Sequence, residues 1–330
     1  MTIDLTDTTT GRVQAALTEA RRRLGGPAMG MVLTLVIGTN EAMQYDAIRA
    51  ASHAGREHPS RVLGVITRNS RSEPRLDAEI RVGENAPGET VLLRLYGALG
   101  EHADSVVAPL LVPDTPVVTW WPGQAPDVPA ADPLGALAQR RITDAASSPE
   151  PTRALASLAA AYQPGDTDFS WTRATPWRSL LAAVLDQPYE KVIQGLIAAE
   201  DDNPSAALLA AWLSAKLGAP FTREHSPGPG ITEVRFSTMG GDIAITRPDG
   251  RVATLSRAGV PDRTVALHRR DTAELLAEEL RRLDPDEVYA ESVAFFAPAG
   301  GSGGVVPPGH TPAGGPGGVV PPGQQGRNGR

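Results

Sequence analysis

Met31-Val32-Leu33-Thr34-Leu35-Val36-Ile37 is an almost unbroken apolar run of strand length. A strand wetted on one side alternates polar and apolar residues, so an unbroken run predicts a central strand covered on both faces, as in parallel sheets. Arg61 to Thr67 is a second run of the same kind. Between the two, Asn40 stands where a helix begins, with Tyr45, Ile48 and Ala51 expected to point inward. Upstream, Gly11 to Leu24 places Val13, Ala16, Leu17, Ala20 and Leu24 at helical spacing, and Gly25-Gly26-Pro27 ends that helix. Its Arg21-Arg22-Arg23 reads as a solvated face. Downstream, Leu76 to Val82 alternates, Thr90 to Leu95 is strand-like, Asp104 to Leu111 is a short helix and Val117 to Trp121 the next strand. Strands separated by helical segments predict an α/β N-terminal domain with a largely parallel sheet over residues 1–150.

From Pro133 to Leu185 the pattern turns helical. Pro133 reads as a first helical position, Thr152 to Tyr162 is rich in Ala and Leu, and Pro176 opens a segment running to Leu185. Residues 151–190 are accordingly expected to form a helical bridge. Lys191 to Ala199 is strand-like, and a well-signed helix follows, with Asn203 as N-cap, Pro204 first and Gly218 past the end. Leu208, Leu209, Trp212, Leu213 and Leu217 form its expected apolar stripe. Ile231 to Phe236, Ile243 to Thr246, Val252 to Leu255 and Thr264 to His268 predict an antiparallel meander, with turns at Gly240-Gly241 and Pro248-Asp249-Gly250. Asp271 with Glu274, and Asp284 with Glu287, are expected capping boxes of two closing helices. Residues 191–296 therefore read as an α+β C-terminal domain, an antiparallel meander with flanking helices. Nineteen of the 34 residues at 297–330 are glycine or proline and none is acidic, so this Gly/Pro-rich tail is expected to be disordered.

The composition excludes several function classes. A net charge of -7 argues against nucleic acid as a partner, because phosphate binding needs clustered positive charge. The absence of cysteine rules out disulfides and thiolate catalysis within the chain. No apolar run approaches the ~18 residues of a membrane span, and Met1-Thr2-Ile3-Asp4 lacks a signal pattern, so a cytoplasmic location without membrane contact is expected.

The chemical motifs are weak. Gly300-Gly301-Ser302-Gly303-Gly304 matches a nucleophile elbow only in letters, since it sits in the tail and not between a strand and a helix. No Walker loop is present, and no Gly-x-Gly-x-x-Gly opens a helix after a strand. His53 and His58 are five apart, the wrong interval for a shared metal on one helical face. Glu200-Asp201-Asp202 suits the dipole of the helix that follows, and Gly165-Asp166-Thr167-Asp168 reads as a polar turn. No catalytic, cofactor-binding or metal residue is expected.

Recognition residues stand out more clearly. Trp120 and Trp121 are adjacent in a strand, so they must face opposite sides, and one is expected to cover a loop or lie at the surface. The stretch from Pro122 to Pro133 that follows is stiffened by four prolines. Arg140 and Arg141 read as a charged fork for phosphate or carboxylate, or as a salt-bridging pair. Trp171, Arg173, Trp177 and Arg178 cluster at the junction, where core packing with Arg–indole contacts is the plain reading. Trp120, Trp121, Arg140, Arg141, Trp171, Arg173 and Trp177 are the candidate partner contacts.

Several segments, in order, resemble the OpcA family of glucose-6-phosphate dehydrogenase assembly proteins in its actinobacterial form. They include Arg56-Glu57-His58-Pro59-Ser60-Arg61, Leu93-Arg94-Leu95-Tyr96-Gly97, Val117-Val118-Thr119-Trp120-Trp121-Pro122-Gly123, Ala138-Gln139-Arg140-Arg141-Ile142-Thr143-Asp144, Trp171-Thr172-Arg173-Ala174-Thr175-Pro176-Trp177-Arg178 and Asp284-Pro285-Asp286-Glu287-Val288-Tyr289. The likeness spans residues 1–296 and leaves out the tail. It implies a non-catalytic protein of the oxidative pentose phosphate pathway that binds glucose-6-phosphate dehydrogenase and promotes its active oligomer or tunes its response to substrate. Thiol control, linked to cyanobacterial members, cannot act through a chain without cysteine. The alternative is a small-molecule sensor, binding a sugar phosphate or nicotinamide nucleotide beyond the carboxyl ends of the parallel strands, near the Trp121–Pro133 loop. An enzyme is the third class.

Overall fold

A computed structural model describes residues 1–24, 30–68, 72–83, 88–187 and 189–296. The tail expected to be disordered, with Gly300 to Gly304, lies outside the described residues. In chain order the first half comprises β1 (Thr2–Thr8), α1 (Thr10–Leu24), β2 (Leu33–Thr39), α2 (Gln44–Ala54), β3 (Ser60–Arg68), β4 (Arg75–Val82), β5 (Gly88–Tyr96), α3 (Ala103–Val107), β6 (Val117–Trp120), β7 (Arg140–Thr143), α4 (Pro151–Ala160), β8 (Asp166–Asp168), α5 (Phe169–Arg173) and α6 (Thr175–Leu185). The second half comprises β9 (Val192–Ala199), α7 (Pro204–Leu217), β10 (Phe221–His225), β11 (Ile231–Thr238), β12 (Gly241–Thr246), β13 (Val252–Arg257), β14 (Val260–Ala266), α8 (Thr272–Arg281) and α9 (Glu287–Phe296).

The N-terminal sheet has the order β1-β4-β5-β3-β2-β6-β7-β8. From β5 to β8 every neighbour is parallel, while β1 and β4 run antiparallel at one edge. Leu33 to Ile37 are all buried, as the unbroken run requires. Val36 packs toward α1 with Val13, Leu17 and Ala20. Leu33, Leu35 and Ile37 pack toward α2 and also toward α8, through Leu275, Leu276, Ala277 and Leu280. A helix from the far end of the chain thus completes the core of the first sheet.

The second sheet, β10-β9-β11-β12-β13-β14, is antiparallel apart from the β9–β10 pair, and β11 to β14 form the expected meander. Helix α7 carries the expected caps: Asn203 Oδ1 accepts from the Ala206 amide at 3.0 Å, and Gly218 takes φ +61° past the end. Its apolar surface is wider than one stripe, because Leu209 and Leu213 meet the second sheet while Ala207 and Leu208 meet α9. A helix sandwiched between layers is apolar nearly all round.

Several local expectations change. Residues 140–143 and 166–168 form strands, not helix and turn, because their charged side chains are paired inside the sheet (below). Pro133 precedes only a 3₁₀ turn at Gly135–Leu137. Thr2–Thr8 and Phe221–His225 are further strands, which the apolar pattern of the sequence does not signal. Asn40 Oδ1 accepts from the Ala42 and Met43 amides, so it caps the turn before α2, and Tyr45 points outward at 70% exposure. The Asp271–Glu274 capping box forms, but at α9 the capping acceptor is Asp286, not Asp284. Arg21 leaves the solvated face to bind Glu89, which also accepts from buried Arg61 at 3.0 Å.

Candidate functional site

β2 connects through α2 to β3 on one side, whereas β6 pairs on its other side. Such a reversal opens a crevice at the carboxyl ends of the strands, where α/β proteins place ligands. A cavity of about 570 Å³ lies there, walled by Thr39, Asn40, Met43, Trp121, Gln124 and Asp132 among others. The Trp121 indole lies across Gly38 so closely that a Cβ on Gly38 would sit 2.5 Å from its ring, so only glycine fits. Among the described residues Asp132 is the only charged one in the lining, and its carboxylate accepts from the Leu134 amide at 2.9 Å. A phosphate at a helix N-terminus needs free amides or a cation. Here the Asn40 carboxamide already occupies two amides at the start of α2, and among the described residues no arginine or lysine lines the cavity. The chamber is neutral to acidic, suited to an uncharged polar ligand.

The other predicted residues meet at the joint between the sheets. Trp120 and Trp121 do face opposite sides. Of the two expected alternatives the loop is the one found, since neither lies at the surface: Trp120 is 1% and Trp121 5% exposed. Trp120 packs against Phe169 with ring centroids 5.7 Å apart, in the cluster shared with α8, and Trp121 is enclosed by the loop carrying Leu134 and Ala138. Covering the sheet on both faces is what permits both indoles to be buried.

Arg140 and Arg141 are also adjacent in a strand, so they cannot act as one fork. Arg140 donates to Glu279 on α8 at 2.6 Å and to the Asp284 carbonyl at 2.9 Å. Glu279 accepts in turn from the Thr172 hydroxyl at 2.6 Å. On the opposite face Arg141 binds Asp166 and donates to the Ala138 and Pro164 carbonyls at 2.9 and 2.6 Å. Arg173 holds Asp144 bidentately at 2.6 and 2.7 Å. Every charged member of this layer therefore has a partner within the chain.

Asp168 is fully buried and accepts from the Thr143 hydroxyl and the Ala145 and Ser170 amides at 2.7–2.9 Å. Burial first, and the neighbouring Asp144 charge second, push its carboxyl above the usual range. A raised carboxyl in a crevice is a candidate acid. This one is sealed from solvent and saturated with donors, which makes it a structural bolt between β8 and β7.

The two tryptophans of α5 and α6 each lie under an arginine. Arg178 sits 3.6 Å from the Trp171 ring centroid and Arg247 5.0 Å from that of Trp177. Burial lowers both guanidinium groups to about 10, so they remain cations at neutral pH. Trp171 Nε1 also donates to Asp286 at 2.9 Å. Burial pushes the Asp286 carboxyl up, but the Tyr289 amide, Trp171 and the Arg178 charge outweigh it, and the net shift is downward. Trp171 and Trp177 are each 1% exposed, so as folded they serve the interior. Sequence reasoning missed Glu279, Asp286 and Asp168 as acceptors. The Asp271 capping box signalled the helix carrying Glu279, but nothing in its spacing showed which surface that helix covers.

Among the described residues no helix is long and apolar enough to cross a membrane, and no group of three His, Cys, Asp or Glu side chains is arranged to hold a metal.

Residues 51–160 match the family model of the glucose-6-phosphate dehydrogenase subunit N-terminal domain, and residues 164–293 match that of the corresponding C-terminal domain. No curated protein matches the chain. Among solved structures, a 3-ketoreductase from Actinomadura kijaniata in complex with NADP is similar with TM-score 0.45 and 12% identity, over 80% of this chain and 95% of that one. An oxidoreductase from Sinorhizobium meliloti gives TM-score 0.42 and 11% identity, over 82% and 87%.

Proposed function

The chain belongs to the OpcA family of glucose-6-phosphate dehydrogenase assembly proteins, and on that premise we propose that it binds the dehydrogenase and favours its active oligomer while carrying out no bond chemistry itself. The observation that carries the reading is the match of both halves of the chain, in order, to the two domains of the dehydrogenase subunit family. The geometry supports it. The charged groups at the joint, from Arg140 at the start of β7 to Asp144 just past its end, are held by partners within the chain, and the most acid-like of them, Asp168, is fully buried.

To act, the protein must bind the competent state of the dehydrogenase more tightly than the incompetent one, since equal affinity shifts no population. A hundredfold difference corresponds to about 2.7 kcal/mol. The partner-anchor role expected for Trp120, Trp121, Arg140, Arg141, Trp171 and Trp177 has little support, because these side chains are buried within the chain; Arg173 keeps more exposure but is committed to Asp144. A sensor of sugar phosphate or nicotinamide nucleotide in the crevice has little support either, for want of a cation among the described residues of its lining.

Mixing the purified chain with the dehydrogenase, then measuring oligomer size by light scattering and rate by NADPH formation, tests the proposal. A larger assembly with a higher rate is expected. Identical size and rate with and without the chain would refute it.

A further inference from the structure

The outward turn of Tyr45 exposes a surface that the interior joint does not account for. Tyr45, Arg49 and Ser52 on α2, with Arg56 in the turn that closes it, recur at three- and four-residue intervals and line one side of the same cleft. That cleft is a cavity of about 360 Å³, whose far wall includes Glu79, Arg81 and Arg94 on β4 and β5. The opposite face of those strands is apolar and packs beneath α1.

The charges in the cleft do not balance. Arg81 is matched by Glu79 at 2.7 Å and Arg94 by Glu41 at 3.0 Å, while Glu89 is already held by Arg21 and Arg61. Arg49 and Arg56 are exposed and have no acidic partner among the described residues. In a chain of net charge -7 the cleft is thus a local reversal of sign. Arg56 comes seven positions after Arg49, about 10 Å if the helical rise is carried through the closing turn, which exceeds the span of one phosphate group. Exposed tyrosine beside arginine is also the composition of protein-recognition hot spots.

We propose that this cleft seats an acidic, extended segment of a protein partner. Arg49 and Arg56 pair with carboxylates spaced along that segment, and Tyr45 packs on its aliphatic part. The inference rests on the assembly reading, in which the partner is the dehydrogenase.

Titration calorimetry of the full chain against the dehydrogenase, at low salt and in 0.5 M NaCl, tests it. The variants are Arg49→Glu with Arg56→Glu, Tyr45→Ala, and Arg153→Glu on exposed α4 as a charge-reversal control. The double reversal is expected to weaken binding by about tenfold or more, with Tyr45→Ala in the same direction. The control should bind as the wild type does, and wild-type affinity should fall with salt. If the wild type itself fails to bind, the assembly reading falls and takes this proposal with it. If the wild type binds and the double reversal binds equally well with the same salt dependence, only the cleft assignment is overturned. Loss of inorganic phosphate binding in the double variant, with dehydrogenase affinity unchanged, also overturns it by giving the arginines to a small anion.

Discussion

Arginine plays two opposite parts in this molecule. At the joint, Arg140, Arg141 and Arg173 are paired with carboxylates and cut off from most of the solvent, while Arg49 and Arg56 stand exposed and form no ion pair among the described residues, Glu57 beside Arg56 being held by Arg281. Burial converts a guanidinium into a structural commitment, because a charge taken out of water must keep its partner. Exposure leaves the same group available, contributing little to the fold and open to another molecule. The first region should therefore answer to substitution in stability and the second in binding.

The largest effect is expected from Glu279→Ala, which strips Arg140 of its carboxylate and Thr172 of its acceptor. Urea unfolding should show a loss of about 3–5 kcal/mol, as for other broken buried pairs. A loss under 1 kcal/mol would dissolve the distinction between the two regions. Trp120→Ala belongs to the same class, at about 3–5 kcal/mol for an emptied core site. It would act on the fold before it touched any complex.

Next in size is a contrast between two conservative changes. Trp171→Phe removes the indole donor from Asp286 and should cost about 1–3 kcal/mol. Trp120→Phe gives up an Nε1–H that has no hydrogen-bond partner, so its polar cost should be absent and the remainder smaller. Equal losses in thermal unfolding would show that packing alone governs both sites.

Acid should erase part of the joint. Asp286 has a folded pKa below its ordinary 3.8, so its contribution is complete above that value and is lost as pH falls through the folded pKa. The stability gap between wild type and Asp286→Asn should be widest at pH 7 and close below about pH 4. Asp168 runs the other way. Its carboxyl is raised, so burial penalises ionisation and stability falls as pH rises through the folded pKa. A gap independent of pH would mean that Asp286 acts through shape and not charge. At the small end, Arg49→Ala and Arg56→Ala should each alter stability by less than about 0.5 kcal/mol, as read from melting curves.

The same contrast explains what could be read in the sequence. Strands with apolar faces, such as Leu33 to Thr39 and Gly88 to Tyr96, announce themselves, and so do helices with Asn203 or Asp271 caps. Strands β7 and β8 do not. Arg140-Arg141 and Asp166-Thr167-Asp168 look solvated until their counter-charges are known, and the carboxylate for Arg140 comes from 139 residues away. Ion pairing across such a separation leaves no periodic trace. Adjacency in a strand places Trp120 and Trp121 on opposite faces, yet their burial depends on two coverings that local pattern does not encode. The crevice near the Trp121 loop was legible from topology, whereas its lack of cations needed the assembled lining.

The late helix α8 also bears on how the protein is made. A ribosome will have released the entire eight-stranded sheet well before Leu275, Leu276 and Leu280 leave the exit tunnel. Until then Leu33, Leu35, Ile37 and Trp120 lack their lid, so the nascent chain offers a greasy flank to chaperones. Premature termination anywhere upstream of Thr272 would leave both halves of the protein unfinished, not one intact half and one stump.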